Sequence, residues 1–452
     1  MATGARSAAR SARTSCADVA ERAGGRVWWA HVTGALVVFT LTYLVIASRQ
    51  LRWVRLDRPA GALVGAVAMV VVGGLPLEAA LAAIDLHVLA LLFGVLLIAA
   101  YLHEAQFFRL AAYLVLTRAR TARSLLWALT FVSGGLSALL LNDTVCVVMT
   151  PLVVAVVVEA KLPPLPYLLA LATASNIGGV VSLSGNPQNM IVGAAAQAHL
   201  SFAQYLALTL PAGALTLVAN AALLGWLFGR ELPRGPLLER GLPRPAVDKP
   251  LVAKGLAALA LFAALAIAGV SLAGAAMTSA ALLTVVARTP PRRAFAVVDW
   301  PLLVFFAGLF VVVAGLARTG VLTAAFASVS PLLARGDLVA DLAFIALIIV
   351  ASNLVSNVPL VVIAVAWIPS MPSPSWSYVI LAVASTLAGN LTLFGSVANL
   401  IVMENAGPRG DIGFLRFLRV GWAVTLLSCV VMFSALALER ALGYYAWLGL
   451  GR

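Results

Sequence analysis

"ASNIGGVVSLSGNPQNMIV", residues 174–192, sets side-chain amides, hydroxyls and the helix breakers Gly and Pro inside an uncharged, otherwise apolar run, and the chain writes it twice. "ASTLAGNLTLFGSVANLIV", residues 384–402, repeats it without a gap, matching at Ala, Ser, Gly, Leu, Gly, Asn, Ile and Val and at a Ser/Thr position. Two further blocks recur in the same order. "IDLHVLALLFG" (84–94) returns as "VDWPLLVFFAG" (298–308), and "LLLNDTVCVVMTPLV" (139–153) as "NLVSNVPLVVIAVAW" (353–367). Ordered blocks at an offset of 210 to 215 residues identify an internal duplication, the pattern to seek before any single motif is read.

Composition sets the solvent of this duplicated fold. The 452 residues are 62% hydrophobic and 10% charged, with a mean hydropathy of +1.03, where a soluble chain carries about 25% charge. Apolar runs of helix-spanning length recur from Trp28 to Trp447; they are continuous rather than alternating, which predicts membrane-spanning helices and excludes a transmembrane barrel. The net charge of +13 comes from arginines in short segments between those runs, the placement of cytoplasmic loops and not of a nucleic-acid surface. The first 26 residues carry Arg6, Arg10, Arg13, Arg22 and Arg26 and lead into an apolar run without a small-residue cleavage signal, which predicts a retained first span and a cytoplasmic N-terminus. Arg49, Arg52, Arg55 and Arg58 follow that span and split the positive-inside vote. Cys16, Cys146 and Cys429 define no disulfide framework or metal spacing, and His87, His103 and Glu104 read as polar helix ends. No cofactor is expected. The Pro-rich, charged segment 229–250 separates the copies. The chain thus divides into a basic tail (1–26), a first transmembrane repeat (27–228), a polar linker (229–250) and a second repeat (251–447).

The polar blocks lie where polarity is costly. Between Lys161 and Arg230, and again between Asp341 and Glu404, no residue is formally charged. An unpaired backbone amide in hydrocarbon costs several kcal/mol, so a broken helix survives only inside protein or along a wet cavity. Its freed ends present N–H or C=O groups, which make ion sites without charged side chains. "SGNPQN" (184–189) and "FGSVAN" (394–399) are therefore expected as kinks within spans, with the next helices starting near Asn189 and Asn399. Gly185 and Gly395 would supply positive φ there. "LNDTVC" and "VSNVPL" are flanked by about 12–15 apolar residues, short of the roughly 20 needed to cross, and are expected as tips of re-entrant hairpins. The candidate substrate- or ion-binding set is Asn142, Asp143, Thr144, Ser182, Gly185, Asn186, Asn189, Ser356, Asn357, Thr392, Gly395, Ser396 and Asn399. Asn142, Asn189, Asn357 and Asn399 are expected to converge near the midplane. Asp143 is the one carboxylate or basic residue between Arg123 and Glu159; at membrane depth it is a functional candidate, or else a helix cap. The second copy has Val358 there, so a titratable role is one-sided. Asp85 and Asp299 are symmetric and read as caps.

Matched broken segments in two halves point to a secondary transporter. A channel would more often carry charged rings or carbonyl filters, and an enzyme would need a nucleophile with its base or a metal cluster. The motifs resemble those of the ion transporter superfamily that includes divalent-anion/sodium symporters, citrate transporters, arsenite permeases and sodium/proton antiporters, over roughly residues 60–445. In dicarboxylate symporters each hairpin tip carries Ser-Asn-Thr; here the tips read Leu141-Asn142-Asp143 and Ser356-Asn357-Val358. "NDTVCVVMTPLV" is similar to the Asn-Asp tip of arsenite permeases, and "SNIGGVVSLSGNPQN" to the citrate and anion permease branch. The resemblance implies an all-α polytopic membrane protein with two inverted structural repeats, each with a re-entrant helical hairpin and a discontinuous helix. It further implies a homodimer in the plasma (inner) membrane whose transport domain moves elevator-like against a scaffold, coupled to Na+ or H+. The solute is expected to be a small inorganic or organic anion held by helix N-termini, Asn and Ser/Thr groups or a co-bound cation. A neutral hydroxide such as arsenite suits the same groups; arsenite or antimonite efflux and sodium/proton antiport are the alternatives.

Overall fold

The computed structural model describes residues 25–47, 56–236, 244–407 and 413–450. Arg6, Arg10, Arg13, Cys16, Arg22, Arg49, Arg52, Arg55 and the middle of the linker lie outside the described residues, and with them the readings of the basic tail and of orientation. In chain order the helices are α1 (Gly25–Ala47), α2 (Arg58–Val71), α3 (Leu77–Ala82), α4 (Leu86–Glu104), α5 (Phe107–Arg118), α6 (Ala122–Leu139) and α7 (Asn142–Glu159). Then come α8 (Pro164–Val180), α9 (Pro187–Ala195), α10 (Phe202–Leu227), α11 (Lys249–Ile267), α12 (Leu272–Val286), α13 (Pro291–Val297) and α14 (Trp300–Arg318). The last are α15 (Val321–Leu333), α16 (Leu338–Val355), α17 (Asn357–Ala364), α18 (Pro374–Ala388), α19 (Val397–Asn405), α20 (Phe414–Ala441) and α21 (Tyr444–Trp447). Among the described residues, 8 helices are long and apolar enough to cross a bilayer: α4, α6, α7, α10, α11, α14, α16 and α20. The protein is an all-helical, multi-pass membrane protein.

The chain forms two compact units, each drawing on both sequence halves. One comprises the described residues up to Leu89 with Asp299–Phe344 and Val362–Pro372. Its helices meet through small residues, as helices in lipid do: Gly61 and Gly65 of α2 face Val45 and Thr42 of α1, and Gly308 and Gly315 of α14 face Ala62 and Met69 of α2. Asp85 accepts the N–H groups of His87 and Val88 at 2.9 and 3.1 Å, and Asp299 that of Leu302 at 3.1 Å. Both aspartates are caps.

The other unit comprises Ala90–Val298, Ile345–Val361 and Ser373–Arg452. At its core are two helices buried on every face, α8 from Leu165 onward and α18 from Trp376 onward. Such burial requires close neighbours. Gly178 of α8 lies against the backbone of Gly134 on α6, where an added Cβ would overlap the Gly134 carbonyl. Hydroxyls sit in this apolar packing by donating to carbonyls one turn back: Thr130 to Leu126, Ser133 to Leu129 and Thr173 to Leu169, the usual refuge of a helical Ser or Thr.

Both expected kinks are present, with differences of detail. The helices after them begin at Pro187 and Val397, ahead of Asn189 and Asn399, because Asn186 and Ser396 act as N-caps: Asn186 accepts the Asn189 N–H at 2.8 Å and Ser396 that of Ala398 at 3.2 Å. Pro187 suits the first helical position, where no N–H partner is needed. Gly185 and Gly395 do not have positive φ; glycine is required there by close packing instead. The arms flanking the expected hairpin tips are also longer than the sequence indicated. α6, α7 and α16 each run 18 residues, and α17 alone is short, at 8.

Candidate functional site

The two breaks are organised by one repeated device. Asn189 Nδ2 reaches back to the carbonyls of Gly179 and Ser182 at 3.1 and 3.0 Å, and Asn399 Nδ2 to those of Gly389 and Thr392 at 2.7 and 3.1 Å. In both copies the span is ten and seven residues. An amide in the first turn of the new helix thus satisfies the carbonyls that the old helix leaves behind. In a bilayer those carbonyls have no water to turn to.

Across the copies the bonds are exchanged. The cap of the first break, Asn186, donates to Thr386 on α18 at 3.2 Å, and the cap of the second, Ser396, donates to Asn176 on α8 at 3.0 Å. Asn186 matches Ser396 in the repeat, and Asn176 matches Thr386. Thr386 also donates to Asn189 at 3.3 Å. The breaks therefore form one site rather than two.

Asn176, 1% exposed, is the hub. It accepts from Asn142 Nδ2 at 3.0 Å and from Ser396, and donates to Asn390 Oδ1 at 2.8 Å and Asn399 Oδ1 at 3.3 Å. These bonds fill the hydrogen-bonding capacity of a side-chain amide. The Asn142 N–H also donates to the Gly185 carbonyl at 3.0 Å, tying the start of α7 to the first break. One turn further along α7, Cys146 lies 3.1 Å from Ser175 Oγ. On the other side, Asn353 of α16 donates to the Ala388 carbonyl at 3.1 Å and accepts from Thr392 at 2.9 Å. Asn357 is buried, with Nδ2 2.9 Å from where a Cβ on Gly389 would lie. The break before it is made by Ser356 at φ +75°, left-handed backbone that is strained for a residue with a Cβ, whereas the corresponding Leu141 is extended.

Of the sequence candidates, the structure joins Asn142, Gly185, Asn186, Asn189, Thr392, Ser396 and Asn399 directly to this network, and Asn357 lies beside it. Ser182 belongs through its carbonyl, and its hydroxyl pairs with Ser184 at 2.8 Å. Gly395 packs against the Gly389 carbonyl and Thr392. Asp143 and Thr144 are half-buried in the first turn of α7, next to Asn142. The sequence reading passed over Asn176, Asn353, Thr386 and Asn390. Asn176 and Thr386 stand opposite one another in the repeat, and that pairing of polar residues within buried helices was the available signal. Among the described residues no group of His, Cys, Asp and Glu is arranged to hold a metal ion.

Fold and site define a membrane transporter built on paired broken helices. The chain belongs to the citrate transporter family, whose model matches residues 35–384. It is 33% identical over 435 residues to the silicon efflux transporter LSI3 of Oryza sativa subsp. japonica, covering 82% of this chain and 89% of the relative. It is 24% identical to the transporter arsB of Dictyostelium discoideum, covering 87% of this chain and 90% of that one. Among solved structures it shares its fold with the YdaH transporter of Alcanivorax borkumensis, at a TM-score of 0.54 and 16% identity over 94% of this chain and 99% of that one.

Proposed function

We propose that this protein is a secondary active transporter of a small, oxygen-rich solute, with neutral metalloid hydroxides of the silicic or arsenous acid kind as its preferred class. The observation that carries the reading is a buried site made of amides and hydroxyls, in segments 124–160, 162–229 and 342–403 that contain no lysine or arginine. Each hydroxyl of such a solute both donates and accepts, as the amides do, and an uncharged solute needs no cationic partner when it leaves water. The name of the rice relative supports the same class. Coupling to Na+ or H+, elevator-like movement of the unit that bears the site, inverted repeats, a homodimer and placement in the plasma membrane complete the proposal. A second reading, an anion carried with a cation, is favoured by the carbonyl oxygens of Asn142 and Asn357, both buried without a partner; such oxygens suit hard cations.

The test is uptake into everted membrane vesicles from a panel of germanic acid (a silicic acid analogue), arsenite, sulfate and citrate, with sodium and proton gradients imposed separately. Gradient-driven accumulation of germanic acid or arsenite is the expected result. Accumulation of sulfate or citrate alone would replace it with the anion reading.

Asp143 is the proposed coupling residue. Asp143→Asn is expected to remove the effect of the driving gradient on net uptake while solute exchange persists. A proton carrier would lose its response to a pH gradient, and a sodium ligand its response to sodium. Because Asn caps helices about as well as Asp, a purely structural role predicts wild-type uptake with unchanged ion dependence, and that outcome would end the coupling assignment.

A further inference from the structure

The orientation of the buried amides can be deduced from one fixed end. Asn399 Nδ2 faces the backbone carbonyls of Gly389 and Thr392, which only accept, so its Oδ1 must be the atom turned to Asn176. Asn176 must then present Nδ2 to Asn399 and Asn390, and its Oδ1 to Asn142 and Ser396. It follows that Asn142 donates and that Asn390 accepts. The chain Asn142–Asn176–Asn390 is therefore polarised head to tail. An acceptor, Asn142 Oδ1, is left over at one end and a donor, Asn390 Nδ2, at the other, and both atoms are buried without a partner. Asn390 is 0% exposed. A buried amide donor left empty carries a full desolvation cost and calls for a ligand. Its place in the repeat is taken by Val180 in the first copy, so the donor exists on one side only.

We infer that Asn390 is a solute-binding residue whose Nδ2 donates to an oxygen of the transported solute, whether hydroxide or oxyanion. This rests on the reading of the site as one for a small oxygen-bearing solute. The chain behind Asn390 strengthens the contact, since hydrogen bonds in series polarise one another: a cation or O–H donor at the Asn142 carbonyl would make the Asn390 N–H a better donor.

The test uses the purified full-length chain in detergent and follows its melting temperature against increasing germanic acid, arsenite, sulfate or citrate. At least one solute is expected to stabilise the wild type. Asn390→Asp keeps the oxygen that accepts from Asn176 but, when ionised, has no donor. At pH 8 it is expected to bind that solute about tenfold more weakly, the loss of roughly one hydrogen bond. At pH 5.5 a protonated carboxyl can donate again, so binding should recover relative to the wild type measured at the same pH. A residue that only fills space gives no such pH-dependent rescue. Should Asn390→Asp fail to fold, Asn390→Ala, which removes the donor, should weaken binding to a similar extent. Wild-type affinity in a folded variant at both pH values overturns the inference, as does a wild type that none of the four solutes stabilises. Stabilisation by sulfate or citrate but by neither hydroxide counts against the proposed substrate class, and the Asn390 comparison is then decided with the solute that binds.

Discussion

Replacing Asn176 by Leu is expected to abolish transport and to cost more stability than any other single change to a polar residue of the site. The substitution leaves Asn142 Nδ2, Asn390 Oδ1, Asn399 Oδ1 and Ser396 Oγ without their partner, in surroundings where each unsatisfied group costs about 1–3 kcal/mol. Even after repacking, a total of several kcal/mol is a large part of a typical folding free energy. Thr386→Val, at the matched position, removes the bonds to Asn186 and Asn189 and should cost about half as much, roughly 1–3 kcal/mol for each of the two groups left unsatisfied. Melting temperatures of the two variants in detergent measure the difference. Equal, small shifts would mean that Asn176 is not the hub.

Gly185→Ala is the second large expected loss. A Cβ there would overlap the Gly179 carbonyl and lie 2.8 Å from both Gly179 Cα and the Ser137 carbonyl, all of them backbone atoms that cannot swing aside. The Gly185 carbonyl also accepts the Asn142 N–H, so displacing it moves the start of α7. Overpacking of this kind costs about 1–3 kcal/mol, and transport should fall below detection even where protein reaches the membrane. At Gly395 the contacts are looser, 2.9 Å to the Gly389 carbonyl and 3.0 to 3.1 Å to the side chains of Asn353 and Thr392. Side chains can yield, so Gly395→Ala should retain part of the transport rate. Uptake normalised to membrane protein distinguishes the two, and equal loss at both glycines would contradict the packing argument.

The duplication, the kinks and most of the polar network were legible in the sequence because each is a local violation of a strong rule. Amides, hydroxyls and Gly/Pro inside uncharged apolar runs announce breaks that must be satisfied somewhere, and their repetition announces that they are satisfied together. The reason for the glycines was not legible. Positive φ and close backbone approach both select Gly, and only coordinates separate them. Asn176 was missed because a single buried Asn in a helix reads as a packing detail, and Asn390, in the turn after α18, because it reads as one more polar residue of the break, until the bond between them across more than two hundred residues is known. α9 and α19 start two residues ahead of Asn189 and Asn399, because Asn186 and Ser396 are the caps. The structure gives the cap to Asn186 and turns Asn189 back to the broken carbonyls.

Solute counterflow is the most direct test of the claim that this buried, uncharged site carries a hydroxylated solute through a closed transport cycle. The purified chain, reconstituted into liposomes loaded with unlabelled germanic acid, should draw in external labelled germanic acid to a transient level above equilibrium, and external arsenite should compete. A protein-dependent approach to equilibrium without an overshoot would indicate a conductive pore, and the absence of any protein-dependent entry of either hydroxide would contradict the proposed solute class.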